Sequence, residues 1–257
     1  FILSFPEGKG KHMKIYIVSL LFLYIITELS LNVLMAGDSP MVTDDTGTPG
    51  HNKWEINLAH TRNNTKLEDA EEFSIDANYG LGEKTHLNIL IPHTYINRDE
   101  GNNISHLGDI QLSTKHRFID ESDWFLSVST TPTILLPTGN HRSKLDFFLP
   151  LEVDKHIKDL YIGTQLGYTI HRKDGEENEL FYGFFSEYPV GERIDVMGEV
   201  FGSFTKHTKT DSPQFNVGFR YKVNNLLSIM SSAGRSFEGR DSGGEDFHSY
   251  VGLRFNF

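Results

Sequence analysis

Phe247-His248-Ser249-Tyr250-Val251-Gly252-Leu253-Arg254-Phe255-Asn256-Phe257 is the stretch that decides the fold. Successive side chains of a strand point to opposite faces. Phe247, Ser249, Val251, Leu253, Phe255 and Phe257 therefore share one face, and it is nearly all apolar. His248, Tyr250, Gly252, Arg254 and Asn256 share the other, which is mostly polar. A soluble sandwich seldom stops on an exposed aromatic. A transmembrane barrel does so readily, because its last strand closes the wall and its aromatics sit at the lipid boundary.

The same residues resemble the C-terminal signature of Gram-negative outer-membrane proteins. That resemblance implies Leu253, Phe255 and Phe257 as an assembly signal, with the barrel-assembly machinery as partner.

Composition fits a barrel. Only 38% of the 257 residues are hydrophobic, too few for a helical membrane protein but enough where every second residue meets lipid. There are 10 Tyr and 19 Phe for the lipid boundary and no Cys, which excludes a disulfide framework and thiol chemistry. The net charge of −11 argues against nucleic acid as a partner, since that needs a basic surface.

Met13 and Lys14 precede an apolar run from Ile15 to Thr27 and a weaker one ending at Ala36. A basic start, an apolar stretch and a small residue at the cut describe a secretory signal. Residues 13–36 are expected to be a cleaved signal peptide, and 1–12 a non-native or upstream-translated leader. A membrane anchor helix is the competing reading, but Glu28 and Asn32 interrupt the run. Residues 37–51 are expected as a periplasmic segment and 52–257 as the barrel, placing the chain in the outer membrane.

No stretch after Ala36 holds helical periodicity over three turns. The pattern gives an all-β, antiparallel up-and-down barrel of about twelve strands, with ten or fourteen also compatible. Strand one sets Trp54, Ile56 and Leu58 against Glu55, Asn57 and Ala59. Leu145, Phe147, Leu149, Leu151 and Val153 alternate with Asp146, Phe148, Pro150, Glu152 and Asp154. Phe215, Val217, Phe219 and Tyr221 oppose Asn216, Gly218, Arg220 and Lys222, so Val217 should face lipid, while Gly218 should accept a polar replacement. Trp124 to Ile134 reads as one strand, and Leu226 to Gly234 as a weak one. Short connections such as Gly80–Glu83 and Val190–Glu192 alternate with longer ones such as Arg62–Ala70 and Ser236–Glu245, as periplasmic turns and extracellular loops do. A soluble lipocalin-like barrel is the alternative, disfavoured because its strands average about 5–6 residues.

The chain then reads Ser39-Pro40-Met41-Val42-Thr43-Asp44-Asp45-Thr46-Gly47-Thr48-Pro49-Gly50, followed by Lys53-Trp54-Glu55-Ile56-Asn57. This resembles the opening of the outer-membrane barrel "transporter" family labelled MetA-pathway of phenol degradation. The resemblance implies passage of small, aromatic or hydrophobic, solutes through a passive channel. Its specific part covers about twenty residues, and it carries no catalytic motif. Asp44-Asp45-Thr46-Gly47 has the composition of an Asx-type turn leading into strand one. Folding of this segment into the pore mouth is the other reading.

The lumen-facing charges expected to shape a constriction are Glu55, Asp76, Asp109, Lys115, Arg117, Glu152, Glu199, Arg220 and Arg254, with Asp146, Asp154, Glu187, Asp195 and Lys222 beside them. They either pair across the ladder or select solutes, and Arg220→Glu is expected to shift ion preference without unfolding. Phe125, Phe148, Tyr161, Phe185, Phe201 and Tyr250 form the expected luminal aromatic set. The 12 His are scattered, and neither a Gly-x-Ser-x-Gly nor a His-Glu-x-x-His pattern occurs. The expectation is no enzyme, no metal site and no cofactor. A structural or surface barrel, or an outer-membrane hydrolase, is the alternative. The expected partners are outer-membrane lipid, lipopolysaccharide and a small-molecule solute.

Overall fold

The computed structural model describes residues 39–64, 68–98, 103–139, 144–172, 177–205, 213–237 and 247–257. The expected leader and signal peptide, 1–12 and 13–36, lie outside the described residues.

The described chain is all β: β1 (Trp54–Asn64), β2 (Glu68–Gly82), β3 (Thr85–Arg98), β4 (Ile104–Leu107), β5 (Gln111–Ile119), β6 (Ser127–Thr130), β7 (Thr133–Leu135), β8 (Asp146–Ile157), β9 (Leu160–Ile170), β10 (Glu179–Val190), β11 (Ile194–Thr205), β12 (Gln214–Lys222), β13 (Leu227–Ser236) and β14 (Phe247–Asn256). Every ladder is antiparallel, successive staves pair around the wall, and β14 pairs with β1 to close it. Trp54 N donates to Phe257 O at 2.7 Å and Phe257 N to Trp54 O at 3.0 Å, so the terminal Phe zips the seam.

Fourteen segments make twelve staves. β4 and β5 both pair with β3 and form one interrupted stave. β6 and β7 both pair with β5 and β8 and form another. The single strand expected over 124–134 is thus corrected. Pro132 has no N–H to give the ladder and breaks it, while Trp124 and Phe125 belong to the preceding turn. The stretch read as weak is a regular strand, β13.

The faces alternate as the sequence predicts. Leu149, Leu151, Val217, Phe219, Val251 and Leu253 are exposed on the outside, whereas Glu152, Asp154, Asn216 and Arg254 are buried inside. An outer belt of large apolar side chains around a polar interior is the pattern of a membrane-spanning barrel. The end where β1 begins and β14 finishes is here called proximal, and the other end distal.

Candidate functional site

The lumen is not empty, because residues 39–50 run inside it. Gly50 turns this segment into β1 with φ of 89°, a conformation open to glycine. Gly80 lets it come close: a Cβ there would sit 1.7 Å from Gly50 O. From Gly50 the segment climbs the β5 wall, crosses to β11 and reaches β13 and β14.

Its backbone is bonded to the wall at successive residues from Val42 to Thr46 and again at Ser39 and Pro40. Thr46 N donates to Asp154 Oδ2 (2.7 Å), and Asp44 N to Gln165 Oε1 (3.1 Å). Val42 N and Thr43 N each donate to one oxygen of Glu199, both at 2.8 Å. Ser232 Oγ donates to Pro40 O (2.7 Å) and Arg254 Nη2 to Ser39 O (3.0 Å). From the β5 wall, Lys115 Nζ meets Asp44 Oδ1 at 2.8 Å and Asp45 O at 2.7 Å, and Arg117 Nη1 meets Thr46 O at 3.1 Å. These bonds matter because buried backbone groups without partners are costly. The wall supplies acceptors, mostly acids, where the segment offers N–H groups, and donors, mostly cations, where it offers carbonyls.

Asp45 Oδ1 accepts from Gly47 N at 2.6 Å, so the expected Asx turn forms as well, inside the barrel. Of the two readings of the segment, a turn leading into strand one and folding into the pore mouth, residues 39–50 thus combine both: they form the turn and fill the lumen. Luminal glycines make room for it. A Cβ on Gly183 would lie 2.2 Å from Thr43 Oγ1. One on Gly218 would lie 2.6 Å from Ser231 O and 2.8 Å from Met41 Cε. Gly218 therefore cannot take the polar side chain expected of it, because the close atom is backbone.

Beside the segment a cavity of about 360 Å³ remains. One wall is amide- and acid-rich. Arg254 Nε donates to Asn57 Oδ1 (2.9 Å), Asn57 Nδ2 to Asp76 Oδ2 (3.1 Å), Asn88 Nδ2 to Asp76 Oδ1, and Ser113 Oγ to Asn88 Oδ1 (3.0 Å). This chain of bonds runs across β14, β1, β2, β3 and β5. The opposite wall is aromatic. His156 stacks on Tyr161 with centroids 4.3 Å apart, and Tyr161 meets Phe185 edge-on at 5.3 Å. Higher up, Phe148, Phe181, Phe201 and Leu135 form a cluster on which Val42 packs. A second cavity of about 470 Å³ opens at the proximal mouth, lined in part by Arg193, Arg220, Lys222 and Asn224.

Of the expected constriction residues, Asp76, Lys115, Glu152, Glu199 and Arg254 are buried on the luminal face. Glu55 lines the cavity beside the segment, 3.5 Å from Arg254, and Arg220 lines both cavities. Glu152 accepts from Ser129 (2.8 Å) and Gln165 (3.4 Å). Arg220 is held by Glu187 (2.5 Å) and Asp195 (3.2 Å). Arg117 binds Asp120 (3.0 Å) and Glu83 O (3.2 Å) at the proximal rim. Asp109 is a correction: it sits in the break between β4 and β5 and accepts from Gly139 N (2.8 Å), fastening a distal loop to the wall. Phe125 is another, because it is 67% exposed in the proximal turn and not in the lumen. Sequence reasoning missed Gln165, Thr131 and Ser232 as partners of the inner segment. Their only signal is a polar residue at an inward position. Leu253 and Phe257 lie exposed on the outside, with Phe255 between them half-buried on the same face.

No protein-family model matches the chain, and no curated protein matches it. Among solved structures it is similar to the COG4313 outer membrane channel from Pseudomonas putida F1, at 12% identity and TM-score 0.69, over 88% of this chain and 100% of that one. It is also similar to the NanC porin (12% identity, TM-score 0.60, 78% and 98% covered). A third is the KdgM porin in complex with disordered oligogalacturonate (12% identity, TM-score 0.56, 79% and 99% covered). Likeness at this identity shows the fold: the chain is a closed antiparallel β-barrel of the shape that these outer-membrane proteins share.

Proposed function

We propose that the protein is a passive outer-membrane channel for small organic solutes, with residues 39–50 setting the width of its path. The observation that carries this reading is the cavity beside the segment, walled by amides and carboxylates on one side and by aromatic rings on the other. Such a lumen offers an apolar face and a polar face to a small ring compound. The resemblance of residues 39–57 to the transporter family supports aromatic or hydrophobic cargo, and the solved neighbours described as channel and porin support passage. Secretion would use the segment 13–36, and assembly would use Leu253, Phe255 and Phe257.

A second reading is a structural barrel without an open path. What favours it is the continuous bonding of residues 42–46 to both sides of the wall. Planar-bilayer conductance and liposome uptake separate the two. Stepwise conductance with faster entry of small aromatics than of hydrophilic compounds of equal size is expected. A folded barrel that neither conducts nor admits such solutes removes the channel reading.

A further inference from the structure

The connection between β5 and β6 is unlike the others at the proximal end. It spans residues 120–126, whereas β2–β3, β8–β9, β10–β11 and β12–β13 are joined by two to four residues. It is also the most apolar of them at its tip. Trp124 is 92% exposed, Phe125 67%, and Leu126 follows them exposed into β6. At the end of β5 the register shifts between Arg117 and Ile119, and Phe118 and Ile119 are both exposed beside the turn.

This turn is fastened. Asp120 is bonded by Lys84 (2.5 Å) and Arg117 (3.0 Å). Glu121 accepts from His156 N (2.9 Å), lies 2.7 Å from His156 Nδ1 and 3.3 Å from Lys155 Nζ. Lys155 Nζ also donates to Ser122 O and to Phe125 O (3.2 Å). Ser122 and Phe125 exchange backbone bonds at 3.2 and 3.3 Å. The fold thus holds five large apolar side chains outward in a fixed arrangement. Water is a poor medium for such a patch, and a patch of this kind marks an interaction site.

Continuity identifies the occupant. Phe118 and Leu126 extend downward the same outer face that carries Leu112, Ile134, Leu149 and Leu151. That face is the lipid belt. Aromatic rings, Trp above all, collect where a bilayer passes from hydrocarbon to headgroup.

We propose that the 120–126 turn is a one-sided membrane-interface anchor, in which Trp124, Phe125 and Leu126 seat at the headgroup boundary of the proximal leaflet beside Phe118 and Ile119. It rests on the reading of the barrel as membrane-spanning. The acids Asp120, Glu121 and Asp123 are offset by Lys84, Arg117 and Lys155 around them, so seating depends on apolar area and not on lipid charge.

The chain has only two Trp, Trp54 and Trp124, which makes a direct test available. Trp54→Phe leaves Trp124 as the sole reporter, and Trp124→Phe leaves Trp54, which lies on the belt. Each variant is folded into phosphatidylcholine vesicles whose acyl chains carry bromine at shallow or deep positions. Trp124 emission should lie at shorter wavelength than in urea, be quenched most by shallow bromine, and be indifferent to added salt. Quenching by aqueous iodide and not by bromolipid, with Trp54 still quenched by bromolipid, overturns the anchor alone. Loss of bromolipid quenching at both positions overturns the membrane-spanning reading with it. Should Trp54→Phe fail to fold, the difference in bromolipid-quenched emission between the unaltered chain and Trp124→Phe reads the same quantity.

Discussion

Lys115 Nζ lies 2.8 Å from Asp44 Oδ1, and both side chains are buried inside the barrel. The pair latches the segment that precedes the first strand to the fourth stave of the wall. Removing one partner of a buried pair costs about 3–5 kcal/mol, because the other charge is left uncompensated. Lys115→Met should therefore lower the urea midpoint of the folded barrel and raise its conductance by loosening the segment. Adding Asp44→Asn should recover much of the midpoint but not the tight closure. A single variant with unaltered midpoint and conductance would show that the latch does not hold the segment.

Glu199 is the second fastening, one oxygen for each of Val42 N and Thr43 N. A carboxamide offers one acceptor oxygen, so Glu199→Gln leaves one of these N–H groups without its partner. A buried donor left unpaired costs about 1–3 kcal/mol. The expected outcome is frequent brief openings in single-channel records, and faster proteolysis of residues 39–50 in a barrel that otherwise stays folded.

Val217 faces outward and Gln111 faces the cavity beside the inner segment. Val217→Arg should cost about 2–4 kcal/mol if it lies near the bilayer midplane, read as lost folding into vesicles. Gln111→Arg has the cavity to project into and should fold at nearly full yield. Equal yields would refute the assignment of faces.

Arg220 sits between Glu187 and Asp195, so Arg220→Glu would gather three carboxylates and destabilise the barrel. This corrects the expectation that the change spares folding. Lys222 is the better probe of selectivity. It lines the proximal vestibule, and its side chain is about half in solvent, although its partner Asp195 is buried. Lys222→Gln removes the positive charge while Asp195 keeps Arg220 as its partner, and should shift the reversal potential in a salt gradient toward cations in a barrel that still folds. An unmoved potential in conducting channels would remove the vestibule from selection.

Hydrogen bonds from Lys84 and Arg117 hold the Asp120 carboxyl below the usual carboxylate range. A carboxylate with a depressed folded value contributes stability above its ordinary value, near pH 4. That contribution is lost as pH falls through the depressed value. Acidification below about pH 4 should loosen the 120–126 turn and raise iodide quenching of Trp124. In Asp120→Asn that pH step should shrink to the part carried by Glu121, whose carboxyl, against the opposing effect of desolvation, is likewise held low by its bonds from His156 and Lys155.

The period-2 alternation of strands such as 145–154, 215–222 and 247–257 determined by itself that the chain is a barrel and which face of each strand meets lipid. A strand has only two faces, and lipid accepts only apolar side chains, so pattern and placement are the same information. The luminal positions of Lys115, Glu152, Glu199 and Arg254 were legible for this reason. What those side chains bind was not. Asp44 and Lys115 are 71 residues apart, and Pro40 and Ser232 are 192 apart. Only closure of the wall brings β5, β11 and β13 within reach of one short polar segment. The sequence of 39–50 shows a turn-forming run, and its backbone bonds could equally go to water. The tertiary structure decided that they go to the wall, because the barrel interior surrounds them with Asp154, Gln165 and Glu199 on one side and Lys115 and Arg254 on the other. The break at Pro132 and the loop role of Asp109 were likewise set by how neighbouring staves pair, which alternation within one strand does not record.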